Sequence, residues 1–97
     1  MEYFYRKYLK NELVRRIGIN PRYSLRAFAK ALQIDPSGLS KILANKRNLT
    51  FKAAEKLVLR LPIYQDAKNM FLISIIQEKK ALSGLTEGEV EKFPSLF

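Results

Sequence analysis

The 97 residues include no cysteine and no histidine, and each absence closes off chemistry. Without cysteine there is no disulfide framework and no thiolate nucleophile. Without either residue, zinc fingers and imidazole acid–base catalysis are lost together. Long apolar runs are also missing: the richest stretch, 70–76, is interrupted by Ser74 and falls far short of the roughly 20 residues a membrane-spanning helix needs. The start of the chain carries Glu2 and no run resembling an export signal, so a reducing cytoplasm is the expected compartment. No glycine-rich phosphate loop occurs, and scattered carboxylates such as Asp35 and Glu55 are accounted for by helix capping and helix-surface pairing. The chain is therefore expected to be no enzyme, with no metal and no cofactor.

What is abundant is positive charge, and its distribution is lopsided. Residues 1–60 hold 14 basic and 4 acidic side chains, net +10, whereas 61–97 hold 4 basic and 5 acidic, net −1. Clustered Lys and Arg release condensed counterions when they neutralise phosphates, so nucleic acid is the leading partner for the first segment. Solubility alone is the duller use of such a face.

Helical periodicity runs through most of the chain, and no alternating apolar–polar stretch bounded by turn signals argues for a strand. The expected class is all-α: a compact five-helix domain over 1–82, followed by a tail over 83–97 that is read as the start of a further region. A first helix over about 2–17 places Tyr5, Leu9, Leu13 and Ile17 on a core stripe, with Gly18 as its C-terminal cap and Pro21 forbidding continuation. Tyr3, Phe4, Tyr5 and Tyr8, at helical spacing, read as core or interface rather than as a base-stacking surface. Ser24 caps a second helix whose inward side is Leu25, Phe28, Ala29 and Leu32. A tight turn at Gln33 and Ile34 leads to Asp35-Pro36, an N-cap acceptor followed by proline at the first helical position. Leu39, Ile42 and Leu43 form the buried side of this third helix, and Asn45 suits the left-handed conformation that closes it.

Thr50 caps a fourth helix with Phe51, Ala54, Leu57, Val58 and Leu61 on one face, ended by Pro62. A fifth, over about 64–82, has Tyr64, Ala67, Met70, Phe71, Leu72, Ile73, Ile75 and Ile76 around too much of its circumference for one stripe, which implies two buried faces. Ser83-Gly84 is read as its stop. Thr86-x-x-Glu89 has the form of a capping box for a short further helix before Pro94.

A short helix, a three-residue turn and a second short helix between Ser24 and Ala44 have the spacing of a helix-turn-helix. Counted from Leu25, apolar residues stand at the positions the motif requires: Phe28, Ala29, Leu32, Ile34, Leu39 and Ile42. Ala29 lies where the two helices cross, and a larger side chain there would displace the second helix. The stretch YSLRAFAKALQIDPSGLSKILANKRNLT, residues 23–50, resembles the lambda-repressor-like, Cro/C1-type helix-turn-helix superfamily, and the likeness extends over about 5–80. It also resembles the N-terminal domain of an uncharacterised bacterial family that continues into a larger C-terminal region. The turn position that usually holds glycine is Gln33, where left-handed backbone costs about 1–2 kcal/mol.

Carried over by residue, the resemblance implies a recognition helix over about 36–44 that presents Pro36, Ser37, Ser40 and Lys41 to the major groove. Ser40 and Lys41 also follow from geometry, because Leu39, Ile42 and Leu43 fix the opposite side. Lys41 has the reach for the O6 and N7 acceptors of guanine, while serine hydroxyls accept or donate to several bases. Pro36 stands where many relatives carry a donor such as glutamine, so discrimination would lean on Lys41 and on DNA shape. Phosphate contacts are expected from Arg22, Tyr23, Ser24 and Arg26 at the start of the second helix, where the helix dipole favours an anion. Lys46, Arg47 and Asn48 would grip the other side. The expected function is sequence-preferring binding of double-stranded DNA by a bacterial transcriptional regulator, a homodimer formed through the 64–82 helix with half-sites about 34 Å apart. The alternative is a helical protein-interaction module that docks an acidic partner.

Overall fold

Five helices make up the regular structure of residues 2–84, the part of the chain that the computed structural model describes, and no strand occurs among them. They are α1 (Phe4–Ile19), α2 (Leu25–Leu32), α3 (Pro36–Leu43), α4 (Phe51–Val58) and α5 (Gln65–Gly84). The all-α class expected from periodicity is what these residues adopt. The capping-box segment at Thr86–Glu89 lies outside the described residues.

Three helix starts rest on short polar side chains. Ser24 Oγ accepts from the Ala27 N–H at 3.1 Å, Asp35 Oδ2 from Gly38 at 2.9 Å, and Thr50 Oγ1 from Ala53 at 3.2 Å. Each bond satisfies one of the donors that a first helical turn leaves without a carbonyl. The first helix starts differently, because Tyr3 offers no capping oxygen. Ser74 of α5 supplies it from across the core: its Oγ accepts from the Tyr5 N–H at 3.1 Å and donates to the Phe71 carbonyl at 2.7 Å.

Two ends use left-handed residues. Gln33 has φ 57° and ψ 44°, and the next residue, Ile34, donates its N–H to the Ala29 carbonyl at 2.9 Å. Asn45 has φ 61°, and Lys46 donates to the Lys41 carbonyl at 2.8 Å. Both are the six-to-one closure that satisfies carbonyls in the last turn. The Gln33 side chain is held as well, since its Oε1 accepts from Arg60 at 2.7 Å, tying the α2–α3 turn to the end of α4.

Several expected boundaries shift. Gly18 lies inside α1 rather than capping it, and Asn20 occupies the cap. Ile17 is 38% exposed, so the core stripe of α1 ends earlier, at Tyr5 and Leu9 with Leu13 half-buried. The residues that share the stripe are charged, Arg6 and Glu12. Helix α4 stops at Val58 and Leu61 is buried from the turn that follows, while Phe51 is exposed at the other end. Ser83 and Gly84 fall within α5.

Helix α2 packs on α3, and α1 and α4 pack on α5. Their shared core is Tyr5, Leu9, Phe28, Ala29, Leu32, Leu39, Ile42, Leu49, Ala54, Leu57, Val58, Leu61, Phe71 and Ile75. Ala29 is fully buried, in keeping with a close crossing of α2 and α3. Of the wide apolar surface of α5, Phe71 and Ile75 face this core. Met70, Ile73 and Ile76 do not: they remain 51%, 52% and 43% exposed, so only one face of α5 is buried within a single chain.

A glycine at position 33 would lose the Arg60 bond and some chain entropy but escape the left-handed penalty of about 1–2 kcal/mol. Gln33→Gly is expected to raise the unfolding free energy by about 0.5–1 kcal/mol in urea titration. A loss of stability would show that the Arg60 bond outweighs backbone strain.

Candidate nucleic-acid interface

The outward side of α3 is polar because its inward side is spoken for. Leu39 and Ile42 are buried and Leu43 half-buried, which leaves Ser37, Ser40 and Lys41 exposed on the opposite face. Pro36 is half-buried at the first position of the helix. Asp35, at the start of this helix, points its carboxylate back at Gly38 and is engaged in capping.

The loop after α3 brings the next cations to the same region. Lys46 and Arg47 both donate their N–H groups to the Lys41 carbonyl, at 2.8 and 3.2 Å, which folds the loop back against the helix end. The Arg47 side chain then lies over the first turn of α3: a Cβ added to Gly38 would meet its Nη1 at 3.0 Å. Lys46, Arg47 and Asn48 are all exposed.

At the start of α2, Arg22, Ser24 and Arg26 are exposed. Ser24 caps Ala27, and the N–H groups of Leu25 and Arg26 have no intrahelical carbonyl to reach. Tyr23 differs from its neighbours. It is half-buried against Phe28, and its hydroxyl accepts from Arg16 Nη1 at 2.9 Å, keeping its own proton to donate. Arg16 in turn lies over the Phe28 ring at 5.0 Å and donates to Glu12 at 2.8 Å. Glu12, bonded also by Arg15, thus anchors a chain of contacts from α1 to the entry of α2.

The ion pairs among the described residues are Arg6–Glu78, Lys10–Glu2, Arg15–Glu12 and Arg16–Glu12. None includes Arg22, Arg26, Lys41, Lys46 or Arg47. Of the four acids of the basic segment, Glu2 and Glu12 are paired on α1 and Asp35 caps α3, so none of these ion pairs draws on the cations of the α2–α3 side.

One group behind this face was not foreseen. Arg6 of α1 is fully buried, and its guanidinium donates to four oxygens. Nε meets the Ile42 carbonyl at 2.7 Å, Nη1 the Glu78 carboxylate at 2.8 Å, and Nη2 both the Tyr5 hydroxyl at 2.6 Å and the Arg47 carbonyl at 3.2 Å. The Tyr5 hydroxyl donates onward to the other oxygen of Glu78. Burial, and then this bond to Glu78, push the Tyr5 phenol well above its ordinary range. The signal in the sequence was two opposite charges lying on apolar stripes: Arg6 three residues before Leu9, and Glu78 three after Ile75.

Among the described residues no group of three potential ligands is placed to hold a metal ion, and no helix is long and apolar enough to cross a membrane. Comparison with family models, curated proteins and solved structures gives no match to this chain.

Hydrogen bonds from Arg15, and then Arg16, hold the Glu12 carboxyl below its ordinary value of 4.5, against the opposing effect of burial. A depressed folded value means that Glu12 stabilises the fold above about pH 4.5 and that this contribution is lost as pH falls through the lower folded value. Glu12→Gln should therefore flatten the acid limb of a stability-against-pH curve. Identical acid limbs for the two proteins would contradict the pairing.

Proposed function

We propose that the chain binds double-stranded DNA through α3, as a helix-turn-helix of the lambda-repressor-like kind formed by α2, the turn at Gln33–Asp35 and α3. The observation that carries this reading is the polar side of α3, Ser37, Ser40 and Lys41, turned to solvent and flanked by cations that form no ion pair among the described residues. A duplex offers what such a surface lacks: phosphates for Arg22, Arg26, Lys46 and Arg47, and base edges within a groove wide enough for a helix. Ser24 and the first-turn N–H groups of α2 add donors for a phosphate, with the Tyr23 hydroxyl beside them, and Asn48 adds a donor on the other flank. Pro36 offers an apolar contact rather than a donor, so Lys41 carries most of the discrimination.

The protein acts on this reading as a transcriptional regulator by occupancy of a two-fold-related site. A second copy covers the outer face of α5, where Met70, Ile73 and Ile76 lie within one third of the helix circumference. Charge favours pairing there: the face belongs to the segment with net −1, so two copies meet without opposing their net +10 segments. Phe71 and Ile75 are committed to the core of each chain and take no part.

Selection from random duplexes, followed by mobility shift across a salt series, tests the reading. Lys41→Ala should cost about 1–3 kcal/mol on the selected site and flatten the preference among sites. A uniform loss on all duplexes would make Lys41 a phosphate contact instead. Arg47→Ala should weaken every duplex and reduce the salt slope by about one unit. Absence of any duplex affinity at low salt, with retention of an acidic protein ligand, would replace DNA by the protein-docking alternative.

In sedimentation the wild-type chain should be a dimer at micromolar concentration and Ile73→Glu a monomer with an unchanged helical spectrum. A wild type that stays monomeric at high concentration removes the α5 interface.

A further inference from the structure

We infer that Arg6 and Glu78 are positioning residues for duplex binding, through which α5 fixes the segment that ends α3. The inference rests on the DNA reading for its functional half. Its structural half, that the loop over 44–48 is placed by α5, stands on geometry alone.

Arg6 joins three parts of the chain that are distant in sequence. Its Nε and Nη2 reach the carbonyls of Ile42, in the last turn of α3, and of Arg47, in the loop beyond. Those carbonyls bracket the turn that carries Lys46 and Arg47. Within the turn, the local bonds are the closures onto the Ser40, Lys41 and Ile42 carbonyls. These hold the loop's N–H groups to α3, and Arg6 holds the carbonyl of Arg47 where the turn ends.

Arg6 itself is held by α5. Glu78 gives one oxygen to Arg6 Nη1 and the other to the Tyr5 hydroxyl, which accepts from Arg6 Nη2 and closes a triangle. Every member is buried, and every buried polar side-chain atom among the described residues has a partner. A buried guanidinium left without its carboxylate is far more unfavourable than the loss of two neutral hydrogen bonds. A displacement of α5 that withdraws Glu78 therefore moves Arg6 with it, and the two carbonyls lose their donor. The same helix carries Met70, Ile73 and Ile76 outward, two to eight residues before Glu78. What seats on that outer face is thereby linked to the placement of Lys46 and Arg47.

The decisive variants separate positioning from simple stability. Arg6→Met alone leaves Glu78 buried and unpaired and is expected to destabilise the fold. The double variant Arg6→Met/Glu78→Met removes both charges, and exchange of a buried ion pair for apolar side chains is often neutral or stabilising. Arg6→Lys keeps the charge pair, but a single ammonium does not span the Ile42 and Arg47 carbonyls while meeting Glu78. Each full-length variant is measured by thermal unfolding, by amide hydrogen exchange at Lys46 and Arg47, and by titration of a fluorescein-labelled random-sequence 20-base-pair duplex.

The double variant should regain the wild-type unfolding midpoint, yet exchange at Lys46 and Arg47 should be about tenfold faster or more and duplex affinity about tenfold weaker, on the scale of one lost charge-assisted bond. Arg6→Lys should show the same pair of losses, and it decides the matter if the double variant fails to fold. Wild-type exchange and wild-type affinity in a folded variant would overturn the inference. Fast exchange with unchanged affinity would overturn its functional half, as would a wild type without duplex affinity. The latter result also removes the DNA reading, whereas the former leaves that reading standing.

Discussion

A guanidinium enclosed by a protein core must find a carboxylate and an acceptor for each of its remaining N–H groups, or the core does not form around it. Arg6 imposes that demand on the whole domain. It comes from α1, its counter-charge Glu78 comes from α5, and its neutral acceptors come from the end of α3 and the loop that follows. No one of these elements satisfies Arg6 alone, so the pair fixes their relative placement in a way that interchangeable apolar contacts do not. The close packing of Tyr5 against Phe71, edge to face at 5.9 Å between ring centres, belongs to the same junction.

From that junction the presentation of α3 follows. The helix begins on a cap, Asp35, and ends on a left-handed asparagine, so its eight residues carry their own start and stop. Its inward residues enter the common core with Phe28, Ala29 and Leu32 of α2. An eight-residue helix is too short to persist by itself in water. Its stability is borrowed from these contacts, and its direction is set by the turn at Gln33 on one side and by the Arg6-bound loop on the other. A second anchor, Glu12 through Arg16 to Tyr23 and Phe28, does the same for the entry to α2. Two charged links from α1 therefore hold the two ends of the candidate interface.

The sequence made much of this legible where a signal is local. Ser24, Asp35-Pro36 and Thr50 marked three helix starts correctly, because an N-cap needs only its own side chain and the N–H three residues on. Asn45 and the strained Gln33 were readable for the same reason. Boundaries set from a distance were not. Gly18 looked like a terminator, yet α1 continues to Ile19, since one glycine in an otherwise helical run lowers helix propensity without ending the helix. The start of α1 is fixed by Ser74, nearly seventy residues away, and no window along the chain contains both. Arg6, Glu12 and Glu78 escaped notice because charge is ordinarily read as surface, and only their places on apolar stripes distinguished them. Of the candidate site, the outward residues of α3 were legible from periodicity, and the inward turn of Tyr23 was not, because it depends on Arg16 reaching over from α1.

The central claim is that the solvent face of α3 and its two flanks form the surface that meets a duplex. Amide chemical-shift mapping of the full chain against a selected duplex tests this most directly. The account predicts shifts gathered at Ser37, Ser40, Lys41, Lys46, Arg47 and Asn48 and at the start of α2, with the exposed side of α1 around Val14 unmoved. Shifts centred elsewhere on the domain, or a spectrum unchanged by a duplex at low salt, would contradict it.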